Sequence, residues 1–152
     1  MDSKRALDEA DGDQAKAEQI LKEQGLADAA KRAGRETSEG LVDSYIHPGN
    51  RIGALVEVNC ETDFVAHTDD FKDLAKNLAM QIAAMSPLYI DRDSIPEDAA
   101  DDAKDVGDEQ LLLDQAFIRD PSITIRELID LTNAKTGENI RVNRFSRFAL
   151  GE

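Results

Sequence analysis

The sequence predicts an α+β fold: a small antiparallel three-stranded sheet covered by helices, preceded by a small helical module. Three observations carry that prediction. Two strand-like runs, residues 41–46 and 51–59, are separated only by His47-Pro48-Gly49-Asn50, and strands joined by so tight a turn must be antiparallel. A strongly patterned helix follows, with Phe71, Leu74, Ala75, Leu78, Ala79, Ile82 and Ala83 on one face. A last strand-like run, residues 140–150, closes the chain after a further helix. Helices segregated to one face of a small antiparallel sheet define the α+β class. The boundary is expected near residue 35, giving a helical module over 1–35 and a core domain over 36–152.

Taken in order, residues 1–34 are Ala-rich and helical in character. Ala6, Leu7 and Ala10 share a face before the break Asp11-Gly12-Asp13. Asp13 is a good N-cap for a second helix, expected to run to about Gln24 and stop at Gly25, with Ala17, Ile20 and Leu21 as its stripe. A third short helix is expected over 26–33. Residues 35–40 read as a linker. In the first hairpin, Pro48 and Gly49 suit the two central positions of a type II turn. Ile52, Ala54, Val56 and Val58 alternate with Gly53, Leu55, Glu57 and Asn59, so one strand face is wholly apolar and the other mixed. Thr68 is the expected N-cap of the long helix, which Ser86-Pro87 ends. Residues 91–114 hold ten carboxylates against Arg92 and Lys104, with Pro96 and Gly107 as interruptions. This stretch reads as a mobile acidic loop with one short helix near 96–104. It is either a solvated face or an electrostatic guide for a basic partner. Order is expected to return at Ser122. Thr124 and Glu127 are spaced as a capping box and Ile123 and Leu128 as a hydrophobic staple. The helix they open carries Ile125, Leu128, Ile129 and Thr132 on one face and stops at Gly137. In the final strand Ile140 and Val142 alternate, but Phe145 and Phe148 fall on opposite parities, which a bulge near Arg144 would reconcile.

Composition narrows function. The 152 residues include 18 basic and 32 acidic side chains, for a net charge of −14. That balance opposes non-specific nucleic-acid binding, which rests on neutralising phosphates, and adhesion to an anionic membrane. A basic partner suits it better. No apolar run is long enough to span a bilayer, and the N-terminus lacks the apolar stretch of a secretory signal. Cys60 is the one cysteine, so no intrachain disulfide forms. A reducing, cytoplasmic setting is the expectation.

Enzyme chemistry finds little support. Cys60 has His67 seven residues on, but Glu61 and Asp63 would raise a thiol pKa rather than lower it. A small strand-end residue in the core is the simpler account. His67, Asp69 and Asp70 lack supporting metal ligands elsewhere and suit a solvated helix start. No Gly-rich phosphate loop is present. Neither a catalytic residue nor a cofactor is expected. The informative stretch is Val58-Asn59-Cys60-Glu61-Thr62-Asp63-Phe64-Val65-Ala66, which sets a large aromatic beside a carboxylate between a strand and a helix. Phe64 either packs back on Phe71, with Asp63 capping a turn, or is inserted into a partner. The N-terminal helix, led by Met1, Lys4 and Arg5, presents an apolar face large for so small a module, which suits a packing appendage or a partner-binding element.

These residues resemble a known family. Met1-Asp2-Ser3-Lys4-Arg5-Ala6-Leu7 with Glu9-Ala10-Asp11-Gly12-Asp13, and Lys31-Arg32-Ala33-Gly34-Arg35, are similar to the N-terminal module of bacterial elongation factor Ts. The stretch from Val58 to Ala66 resembles that family's signature loop, and Gly137-Glu138-Asn139-Ile140-Arg141-Val142-Asn143-Arg144-Phe145 resembles its ending. The likeness covers most of the chain except the acidic middle and fits a short form with a single core half. The resemblance implies a guanine nucleotide exchange factor, not an enzyme, for elongation factor Tu, the GTPase that delivers aminoacyl-tRNA. It implies that a module similar to ubiquitin-associated domains, here with Met1, Asp2, Lys4 and Arg5, grips the nucleotide domain of the GTPase. Phe64 would enter a crevice beside its magnesium, Asp63 would help dislodge the ion, and Thr62 and Val65 would hold the loop. His47 would touch another part of the GTPase. The family normally has a further helix before the Met-Asp position and a longer middle, so the helical module is expected to lack its first helix. These departures leave a second reading, a protein that binds or sequesters the same GTPase without exchange. Short members pair as homodimers, which here would bring two core halves together.

Overall fold

The computed structural model describes residues 2–101 and 105–152. Strands β1 (Glu39–Ile46), β2 (Ile52–Cys60) and, at the end of the chain, β5 (Arg141–Ala149) form an antiparallel sheet in the order β1-β2-β5. The predicted turn between β1 and β2 is present: Asn50 N donates to His47 O (3.0 Å) and Gly49 sits at φ +97°. Register follows from the alternation. Ala54, Val56, Val58 and Cys60 of β2 are buried on one face, beneath helix α4 (Asp69–Met85). The Thr68 hydroxyl accepts from Phe71 N (3.3 Å), and all seven predicted stripe residues of α4 are buried.

The predicted bulge is one residue away from Arg144. Glu57 pairs with Arg144 but Val58 pairs with Val142, which leaves Asn143 extra. The slip puts Val142 and Phe145 on the same, covered face. The Glu57 carboxylate holds both sides of it, accepting from Asn143 Nδ2 (2.8 Å) and Arg144 Nε (3.0 Å). Phe148 is not reconciled by the bulge. It pairs with Gly53 on the open face and is 73% exposed. Val42, Ile46, Leu55 and Leu150 are exposed as well.

At the N-terminus, helix α1 (Asp2–Glu9) turns at Asp11 and Gly12, both at positive φ, into helix α2 (Gln14–Arg32), and Asp13 caps α2 through Lys16 N (3.2 Å). Two short helices were expected here, broken at Gly25. The helix instead runs straight through. Gly25 is there for clearance: a Cβ on it would lie 3.2 Å from the Ala134 Cβ of helix α5 (Ile125–Thr136). Tertiary packing of α2 on α5 outweighs the roughly 1 kcal/mol that a mid-helix glycine costs. Arg32 Nη1 donates to Asn133 Oδ1 (3.0 Å) across the same contact. The apolar face of α1 finds partners within the chain, since Ala6 and Ala10 pack with Ala17 against Ile20 and Leu21.

The acidic stretch differs most from expectation. Residues 96–100 form a turn, Asp101 is helical, and residues 102–104 of the expected helix lie outside the described residues. From Asp108 on, the chain is built into the core. Single 3-10 turns cover Asp108–Gln110 and Leu112–Asp114, and Leu111 and Leu112 are fully buried. A hairpin, β3 (Ala116–Phe117) and β4 (Asp120–Thr124), precedes α5, so order returns well before Ser122. Buried Gln81 of α4 ties the hairpin down, donating to Gln115 Oε1 (3.2 Å) and Ala116 O (3.1 Å) and accepting from Ile118 N (3.0 Å). Helix α5 begins with the Thr124 hydroxyl accepting from Glu127 N (3.2 Å), while the Glu127 carboxylate lies 3.9 Å from Lys22 of α2. It ends at Gly137, φ +74°.

Candidate functional site

The candidate site is the connection from β2 to α4. Strand β2 ends at Cys60, and after Glu61 and Thr62 the chain makes a single helical turn, α3 (Asp63–Ala66). Thr62 is extended at φ −130°, and its hydroxyl oxygen accepts from Val65 N (3.3 Å), a cap of the kind that contributes about 1 kcal/mol. Thr68 Oγ1 donates to Val65 O (2.7 Å) while capping α4, so the two helices share one junction. His67 Nδ1 donates to Asp63 O (2.6 Å).

This turn has two opposite faces. Val65 and Ala66 are buried in the main core beside Cys60 and Phe71. Asp63 is exposed, and Phe64 is 79% exposed, the largest fraction among the exposed large apolar side chains of the described residues. Of the two arrangements open to Phe64, the ring does not pack back on Phe71; Val65 fills that place. A stiff apolar ring thus projects beside an exposed carboxylate from a turn anchored by its next two residues.

A second segment holds the loop from outside. The α5–β5 connection brings the Glu138 carboxylate against it. Glu138 Oε1 accepts from Glu61 N (3.1 Å) and Thr62 N (3.0 Å), and Oε2 accepts from the Thr62 hydroxyl (2.7 Å). Glu61 answers in kind: its Oε1 accepts from Asn139 N (2.8 Å) and lies 3.6 Å from Arg35. The Asn139 side chain donates to Ala33 O (3.3 Å) and Arg35 O (2.8 Å), so the end of α2 joins the same cluster. Sequence reasoning missed Glu138 as a member of this site. Its contacts lie 76 and 77 positions away, and no local pattern announces them.

The remaining candidate residues lie apart from this loop in sequence and structure. Asp2, Lys4 and Arg5 are exposed on α1, with Arg5 3.9 Å from Asp2; Met1 lies outside the described residues. His47 is exposed at the β1–β2 turn, at the far end of β2 from Thr62, with its Nδ1 3.1 Å from the Tyr45 hydroxyl. Cys60 is fully buried and its Sγ–H donates to Thr62 O (3.1 Å). Burial, and then the Glu138 charge, push its thiol up to about 11, so at neutral pH it is a protonated packing group rather than a nucleophile. Among the described residues no group of three or more His, Cys, Asp or Glu side chains is placed to hold a metal ion. No helix of the described residues is long and apolar enough to cross a membrane.

Comparison with known proteins places this chain in a family. The family model described as elongation factor TS matches residues 28–111. An elongation factor Ts of Thermoanaerobacter sp. is 48% identical over 178 aligned positions, covering the whole of this chain and 87% of the relative. Those of Carboxydothermus hydrogenoformans and Thermotoga maritima are 46% and 44% identical, again over the whole chain and over 82% and 88% of the relatives. The aligned span with the first, 178 positions against 152 residues, means that the relative carries additional residues inside it, in keeping with a shortened chain. On these matches, the chain belongs to the elongation factor Ts family of translation elongation factors.

Proposed function

We propose that this protein is a guanine nucleotide exchange factor that releases GDP from elongation factor Tu by displacing the magnesium of that GTPase. The observation that carries the reading is the exposed Phe64 ring on a turn whose Val65 and Ala66 are locked in the core. A ring held this way enters a crevice with few rotamers left to freeze. Asp63 beside it brings a negative charge to a cation that demands near-octahedral ligation and tolerates distortion poorly. Once magnesium shifts, the GDP phosphates lose their main counter-charge and the nucleotide leaves. Thr62 and Val65 keep the wedge in place. The factor makes no bond; it and the nucleotide weaken each other's binding by the same factor. Asp2, Lys4 and Arg5 on α1, with Met1, form the second grip on the nucleotide domain, in a module similar to ubiquitin-associated domains. His47 touches another part of the GTPase. The site of action is the cytoplasm.

Release of a fluorescent GDP from elongation factor Tu, followed by stopped flow, tests this directly. The unaltered chain accelerates release at substoichiometric amounts, and Phe64→Ala loses most of the acceleration. Equal rates for the two proteins would defeat the mechanism. Stable complex formation with no acceleration by the unaltered chain would establish the sequestering alternative.

One further observation bears on assembly. The open face of the sheet carries Val42, Ile46, Leu55 and Phe148, and with Leu150 borders a groove of about 600 Å³. So much uncovered apolar surface on one side of a sheet is characteristic of an interface. It supports the homodimer, formed by apposing two such faces, with both Phe64 rings left free at the other end of β2.

A further inference from the structure

Resting on that reading of Phe64, we infer that Glu138 is a positioning residue for exchange: its carboxylate sets the Thr62 cap and thereby the direction in which Phe64 is presented. The chemistry turns on one proton. A threonine hydroxyl has one O–H to donate and two lone pairs with which to accept. Glu138 Oε2 accepts a hydrogen bond from the Thr62 hydroxyl at 2.7 Å. That bond orients the hydroxyl so that a lone pair meets Val65 N at 3.3 Å and caps α3. The other carboxylate oxygen accepts from both Glu61 N and Thr62 N, fixing the backbone just before the turn. All three bonds are charge-assisted, the stronger class. A one-turn helix has almost no stability of its own. The orientation of α3 therefore comes from the buried Val65 and Ala66 on one side and from Glu138 on the other. Glu138 itself is placed by the left-handed Gly137 that ends α5 and by the return bond from Asn139 N to Glu61. Nothing in this arrangement requires Glu138 to touch the GTPase; it acts through Thr62.

Two measurements on the full chain test this. In amide hydrogen exchange, Glu138→Ala is expected to speed exchange at Glu61, Thr62 and Val65 by about tenfold, while amides of α4 and β2 keep their protection. Glu138→Gln, whose amide oxygen can take the place of Oε1, is expected to recover protection at Glu61 and Thr62; no recovery there would overturn the inference. In GDP release at saturating factor, Glu138→Ala is expected to be slower by on the order of tenfold, as misplacement of a reacting group by a fraction of its size would produce. In a Phe64→Ala background the same change adds nothing. Unchanged protection at the three amides in Glu138→Ala would overturn the inference. So would a slowing that persists undiminished without Phe64, since Glu138 would then touch the GTPase itself. Failure of the exchange reading looks different: Phe64→Ala matches the unaltered chain, and the amide protection data alone then decide what Glu138 holds.

Discussion

Two phenylalanines seven residues apart should respond to truncation in opposite ways. Phe71 is fully buried between α4 and β2, whereas Phe64 is 79% exposed. Phe71→Ala removes a complete ring from a close-packed core and is expected to cost about 3–5 kcal/mol. That is about a fifth or more of the total for a domain whose stability is about 5–15 kcal/mol. For Phe64, full burial would be worth about 1.5–3 kcal/mol, and only about a fifth of the residue is covered. The lost contact amounts to roughly 0.3–0.6 kcal/mol, and the better helix propensity of Ala within α3 returns a few tenths of a kcal/mol. Urea denaturation followed by far-ultraviolet circular dichroism should show a midpoint for Phe64→Ala within error of the unaltered chain, and a much lower one for Phe71→Ala at similar slope. A Phe64→Ala loss above about 1.5 kcal/mol would mean that the ring is packed in its own domain in solution, and the wedge would have no physical basis.

Other perturbations follow from the same structure. Gly25→Ala should change the thermal midpoint little, because gained helix propensity meets the 3.2 Å approach to Ala134; Gly25→Leu should lower stability by about 1–3 kcal/mol through overpacking. The Cys60 thiol is raised in the folded chain, so its stabilising effect is complete below the ordinary thiol pKa and is lost as pH climbs from there to about 11. Denaturation midpoints of Cys60→Ala and the unaltered chain, compared across that window, check the sign: only the unaltered chain should lose stability there through this group. Replacing Leu55 and Phe148 together by Glu should give a monomer by sedimentation while leaving the fold intact, since both side chains stand on the open face. A monomeric unaltered chain at the same concentration would rule that face out as the homodimer contact.

Elements with local signals were legible in the sequence. The hairpin could be read because Pro48 and Gly49 match a turn type, and α4 because its stripe and the Thr68 cap both lie within a few residues of what they determine. The bulge beside Arg144 was legible from the parity change between Val142 and Phe145, although it does not bring Phe148 to the covered face. Misreadings arose where distant contacts decide. Gly25 has the local character of a stop, but Ala134, more than a hundred residues later, needs its missing side chain. Leu111, Leu112 and Leu113 were swallowed by the charge of their neighbours, although Leu111 and Leu112 are among the most deeply buried residues in the chain. The short β3–β4 hairpin has too few residues for alternation to show, and its stability comes from Gln81 on α4.

The candidate site divides along the same line, and the division says something about how such a loop works. Thr62, Asp63, Phe64 and Val65 were legible as a candidate loop because an aromatic beside a carboxylate between a strand and a helix is a local anomaly. For Phe64 the sequence left two arrangements open, packing back or projection, and only the fold decides between them: the ring is exposed while Val65 is buried. Glu138 was not legible, because it enters from the other end of the fold. Yet neither half is sufficient physically. Four residues of helix cannot hold an exposed ring against thermal motion, since a first helical turn is the unfavourable step of helix formation. A carboxylate 76 positions away is useless unless the fold delivers it within 3 Å of its targets. The sheet does this by running β2 and β5 side by side, so that the loop leaving one strand meets the turn entering the other. On the proposed exchange reading, the α+β core is the mount that keeps the Phe64 turn rigid, and substitutions that shift β5 against β2, such as deletion of the bulged Asn143, should slow GDP release in the stopped-flow assay even though they touch none of the exposed residues.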